Sequence, residues 1–85
     1  MDEYAEAARR FYEAYRPIAR RYNLRLHSRF SLYDDSIIKI YQGEGQGKKL
    51  ITKVEEKDEV LCYRKATDAV IRWGENRRRE QRAAS

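Results

Sequence analysis

Apolar positions recur along this chain with two different periods, and each period marks an element. Tyr4, Ala8, Phe11, Tyr15, Ile18 and Tyr22 are spaced by four, three, four, three and four residues. At about 100° per residue they fall on one narrow stripe, so a helix is expected from Asp2 to Tyr22. Asp2 and Glu3 open it where the helix dipole favours acids. Glu6–Arg10 and Arg9–Glu13 have the spacing of side-chain pairs on its polar side. Pro17 lacks the amide needed in a helix interior. It lies on the polar side while the stripe keeps phase to Tyr22, which predicts a kinked helix, with two helical segments as the fallback. The aromatic spacing is that of a buried face, with the tyrosine hydroxyls reaching water at the rim.

From Leu24 the period drops to two. Leu24, Leu26, Phe30 and Leu32 alternate with Arg25, His27, Arg29 and Ser31. Tyr33-Asp34-Asp35-Ser36 has the composition of a turn. A second strand from Ser36 to Gln42 would turn Ile38 and Ile40 inward and Ile37, Lys39 and Tyr41 outward. Gly43-Glu44-Gly45-Gln46-Gly47 reverses the chain again. The third strand, ending at Glu56, is then expected to place Leu50 and Val54 inward and Lys49, Ile51 and Lys53 outward. Beyond Asp58, a suitable N-cap, helical spacing returns with Cys62, Ala66, Ala69, Val70 and Trp73. Val60–Tyr63 also fits a short fourth strand, with Thr67 capping a shorter helix. The unbroken stripe from Cys62 to Trp73 favours the long helix. Gly74 weakens it by about 1 kcal/mol relative to alanine. Arg77, Arg78, Arg79 and Arg82 follow, suited to a helix C-terminus that frays.

The order helix, three strands, helix predicts an α+β fold: a three-stranded antiparallel sheet with both helices on one face and the other face in water (α-β-β-β-α). One domain is expected over residues 1–76, with 77–85 as a basic tail, since 85 residues support a single core. Double-stranded-RNA-binding domains share this order of elements. Their glycine-and-lysine segment opens the last helix, whereas Gly47-Lys48-Lys49 opens a strand here. No functional residue is therefore carried over from them.

Composition narrows the classes. Hydrophobic residues make up 41% of the chain and charged ones 39%, which excludes a disordered chain and implies a crowded charged surface. No apolar run reaches membrane-span length, and the N-terminus has no signal-peptide core, so no membrane association is expected. The single Cys62 cannot form an intramolecular disulfide, and a cytoplasmic location is the expectation. The net charge of +5 suits a polyanionic partner and suits solubility as well.

Candidate chemistry is sparse. One His and one Cys are too few for a metal site, and Asp34 and Asp35 suit a turn better than acid–base work. Gly43, Gly45, Gly47 and Lys48 miss the P-loop spacing and precede a strand, not a helix. No catalytic residue, cofactor or metal is expected, and the chain reads as a non-enzyme. What remains is the outer sheet face, expected to gather Arg25, His27, Arg29, Lys39, Tyr41, Lys49 and Lys53 around Ile37 and Ile51. Lys48 in the loop and Arg77, Arg78 and Arg79 in the tail flank it. Basic groups interleaved with an aromatic suit nucleic acid or a nucleoprotein. An acidic protein surface is the alternative partner, engaged by an inhibitor or adaptor of the anti-CRISPR type carried by phages and mobile elements. Ile37, Tyr41 and Ile51 would then be its anchors. A homodimer pairing sheet edges or faces is the third expectation.

Overall fold

The computed structural model describes residues 2–31 and 33–84. Helix α1 spans Glu3–Tyr22, strands β1, β2 and β3 span Leu24–Arg29, Ser36–Gln42 and Lys49–Glu56, and helix α2 spans Glu59–Ala84. The strands form one antiparallel sheet in the order β1-β2-β3. The α+β order read from periodicity is the order of the structure.

Each boundary has a local cause. Asp2 caps α1 by accepting from the Tyr4 amide at 3.0 Å. Asn23 ends α1 in the left-handed conformation, its amide donating to the Ala19 carbonyl. Pro17 sits inside α1 on the exposed side, and the helix is continuous across it. Ser31 Oγ accepts from the amides of Tyr33 and Asp34, both at 3.2 Å, so it organises the first turn. Leu32, expected to face inward, lies outside the described residues. Gly43, at φ +93°, donates its amide to the Asn23 carbonyl at 3.0 Å, fastening the glycine loop to the end of α1. A 3₁₀ turn over Gly45–Gly47 then leads directly into β3.

Asp58 caps α2 by accepting from the Val60 amide at 3.1 Å. The helix starts there, so Val60–Tyr63 is helical and no fourth strand forms among the described residues. Gly74 does not interrupt it. A Cβ at this position would lie 3.2 Å from Ile18 Cδ1, so glycine lets α2 approach α1 closely. Segment 77–85, expected as a frayed tail, continues α2 as helix to Ala84; Ser85 lies outside the described residues.

Both helices pack on the face of the sheet that carries Leu24, Ile38 and Ile40, burying Phe11, Tyr15, Cys62, Ala66 and Val70 against it. Tyr63 joins this core and touches the rings of Tyr4, Phe11, Tyr12 and Phe30. Its hydroxyl is held well above the usual tyrosine pKa, first by burial and then by the neighbouring Tyr4 and Tyr12 hydroxyls. The Cys62 thiol donates to the Ser36 carbonyl at 3.5 Å, and burial pushes its pKa up.

The helices run side by side in the same direction. Tyr4 meets Tyr63 near their N-termini, Ile18 meets Gly74, and Arg21 meets Gln81 near their C-termini. The molecule is a slab of 46 × 31 × 17 Å.

Candidate nucleic-acid interface

The outer sheet face is a grid of three rows set by strand register. Arg25, Tyr41 and Leu50 form the first row; His27, Lys39 and Lys53 the second; Arg29, Ile37 and Glu55 the third. Directly opposed residues share a face and stand about 5 Å apart at Cβ. The middle row therefore sets Lys39 against Lys53 with His27 beyond, and like charges so placed are mutually destabilising. Among the described residues neither Arg29 nor Lys39 has an acidic partner, while Lys53 reaches Glu55 at 3.7 Å and Arg25 pairs with Glu44 of the glycine loop. Lys48 places its ammonium over the Tyr41 ring, 4.7 Å from the centroid, and His27 meets the same ring edge-on at 6.0 Å.

Three sequence assignments on β3 change. The register shifts between Ile40 and Tyr41, which makes Ile51 the extra residue of a β-bulge. A one-residue slip exchanges faces, so Leu50 lies opposite Tyr41 on the outer face and is 44% exposed. Ile51 is half-buried and packs against the core cluster instead of standing on the open face. Lys49 lies opposite Gln42, whose amide donates to the Tyr22 carbonyl, so Lys49 belongs to the helix side at the end of the sheet. Of the residues expected on the outer face, the structure gathers Arg25, His27, Arg29, Ile37, Lys39, Tyr41 and Lys53 there, with Lys48 over the rim. Leu50 is the member that the alternation rule misses.

The C-terminal arginines occupy the helix layer. Arg77 stacks over Trp73 and pairs with Glu80. Arg78 shares an open recess with Arg21, Gln81 and Arg82 where α1 ends and α2 runs on. This recess lies at the same end of the slab as the glycine loop, because Gly43 and Gln42 are hydrogen-bonded to the end of α1.

Folding sorts the charge along the slab. Segments 20–25, 43–49 and 75–84 meet at the loop end with nine cations against Glu44, Glu75 and Glu80, a net +6. Segments 2–6, 29–31, 33–36 and 55–59 meet at the other end with nine acids against Arg29 and Lys57, a net −7. Parallel helix dipoles account for the acids in the first turns and for Arg20, Arg21 and Arg82 in the last. That influence fades within one turn. It does not reach Arg25, Lys48 and Lys49 on the sheet and loop, nor Arg77 to Arg79.

Among the described residues no three His, Cys, Asp or Glu side chains converge as metal ligands, and no helix is long and apolar enough to cross a membrane. No protein-family model matches the chain, and no significant match joins it to a curated protein or to a solved structure.

Proposed function

We propose that this chain is a non-enzymatic binding protein whose ligand is nucleic acid, held by the outer sheet face and the C-terminal arginines. The observation that carries this reading is the middle row of the grid. Lys39 stands directly opposite Lys53, with His27 alongside and Tyr41 diagonal to it; the like charges cost the sheet stability, and Glu55, 3.7 Å from Lys53, leaves Lys39 without an acid of its own among the described residues. Phosphates would neutralise the row, and Tyr41 supplies a ring on which a base or sugar stacks. A cytoplasmic setting, which suits the unpaired thiol of Cys62, goes with this reading.

The test is a titration of labelled DNA and RNA oligonucleotides over a range of salt. Neutralising about five phosphates gives a slope of log affinity on log salt near −4.5 for duplex DNA and near −3.5 for a single strand. No binding at low salt would end the proposal.

A protein partner is the second reading, favoured by one observation: the bulge sets Leu50, 44% exposed, beside Tyr41 in place of Ile51, so with Ile37 the outer face still shows three apolar positions to solvent. An inhibitor or adaptor would use these three as anchors and its cations against an acidic surface. A specific protein retained from lysate after nuclease treatment would favour this reading over the first.

A further inference from the structure

The two cationic surfaces meet at the glycine-loop end but lie on different layers of the slab. The grid, with Lys39, Lys53 and Tyr41, is on the open sheet face. The recess around Arg21 and Arg78 belongs to the helix layer behind it. Between them the path runs over the loop, past Lys48 and Lys49, across a slab 17 Å thick. Resting on the nucleic-acid reading above, we propose that the ligand is a single strand, which crosses the sheet at the middle row and turns over the loop end into the recess between the helix ends.

Three observations select a single strand over a duplex. Duplex DNA is stiff over about 150 base pairs, so it does not turn around an edge of this thickness, whereas a single strand does. Two of the α2 arginines are already engaged within the helix layer: Arg78 shares its recess with Arg21 of α1, and Arg77 is laid on Trp73. Finally, the −7 end repels any rigid polyanion laid along the full length of the sheet face, while a strand leaving over the loop avoids it. A base that stacks on Tyr41 displaces the Lys48 ammonium from over the ring, which frees it for the adjoining phosphate.

The experiment is fluorescence anisotropy with labelled homopolymeric DNA and RNA strands of about 4 to about 16 nucleotides, and a duplex of the longest length. The wild type is compared with Lys39→Glu/Lys53→Glu and with Arg21→Glu/Arg78→Glu. Arg21→Gln/Arg78→Gln serves as a second form of the last variant that places no acid at a helix end, and circular dichroism checks folding. Affinity is expected to step up once a strand spans both surfaces. The Arg21/Arg78 variants should remove that step, weaken the longest strands more than the shortest, and lower the salt slope of the long strand by about 0.7 for each phosphate no longer neutralised. The duplex should bind about tenfold more weakly than the long strand. A duplex that binds as tightly as the strand overturns the inference, as does an equal effect of the Arg21/Arg78 variants on short and long strands. Either result leaves the nucleic-acid reading standing. Absence of binding to every oligonucleotide at low salt overturns both.

Discussion

Replacing Lys39 by glutamate reverses the central charge of the basic row, and the fold predicts opposite effects on stability and on binding. Lys39 is half-exposed in the middle strand, directly opposite Lys53 on one side and His27 on the other. A directly opposed charge pair on a sheet changes stability by about 0.2–1 kcal/mol, unfavourably when the signs match. Lys39→Gln removes the repulsion from Lys53, and Lys39→Glu replaces it with an attraction. The expected order of stability is Glu above Gln above Lys, with a total gain of about 0.5–1 kcal/mol. For a domain of this size that is a rise in Tm of roughly 2–8 °C. The assay is thermal unfolding followed by circular dichroism at low salt, repeated near 1 M salt, where screening acts over about 3 Å and the gain should vanish. Oligonucleotide affinity should fall in the same series, with a salt slope smaller by about 1 because one phosphate fewer is neutralised. A Lys39→Glu protein that melts at or below the wild-type temperature at low salt would mean that Lys39 and Lys53 do not repel each other across the sheet. A gain that survives high salt would mean that it does not come from charge.

Three other outcomes follow from the core and the bulge. Leu50→Ser should change stability by less than about 0.5 kcal/mol, as for other exposed positions, while Ile51→Ser costs clearly more in urea denaturation; the opposite ranking would restore unbroken alternation along β3. Ser36 is buried and its Oγ has no hydrogen-bond partner among the described residues. Ser36→Ala should therefore raise stability by about 1 kcal/mol, and a decrease in the same assay would mean that the hydroxyl is bonded in solution. Above the ordinary thiol pKa of about 8.5 the unfolded chain releases a proton that folded Cys62 keeps, so stability should decline as pH rises. Between about pH 8.5 and the tyrosine range near 10, Cys62→Ala should flatten that decline, and an unchanged slope would place its cause elsewhere.

The elements are legible in the sequence because most of them carry an unmixed period. The stripe from Phe11 to Tyr22 and the alternation through Ile38 and Ile40 each have one physical solution, and Asp58 announces the start of α2. The departures lie where one residue changes parity. Nothing in Lys49-Leu50-Ile51-Thr52 distinguishes a regular strand from one with an inserted residue, since both put a large aliphatic side chain on either face. Tyr63 escapes any reading of α2 as a single stripe through Cys62. The spacing of Tyr63, Ala66, Val70 and Trp73 by three, four and three is also present, and a helix packed against both a sheet and another helix buries a broad face.

The charge pattern is hidden for a different reason. Counted along the chain, residues 1–22, 23–56 and 57–85 carry +1, +1 and +3. Each helix and strand runs between the two ends of the slab, so linear counting mixes the ends that folding separates. Only the antiparallel sheet and the parallel helices bring Asp2, Asp34 and Glu56 to one end and Arg21, Lys48 and Arg78 to the other.

Chemical-shift mapping by NMR, adding a single-stranded oligonucleotide of about 16 nucleotides to the isotope-labelled protein at low salt, reads both surfaces at once. Amide shifts are expected to cluster at residues 39–41, 48–53 and 77–82, with residues 2–6, 33–36 and 55–59 unmoved. Shifts confined to the acidic end, or none at saturating oligonucleotide, would contradict it.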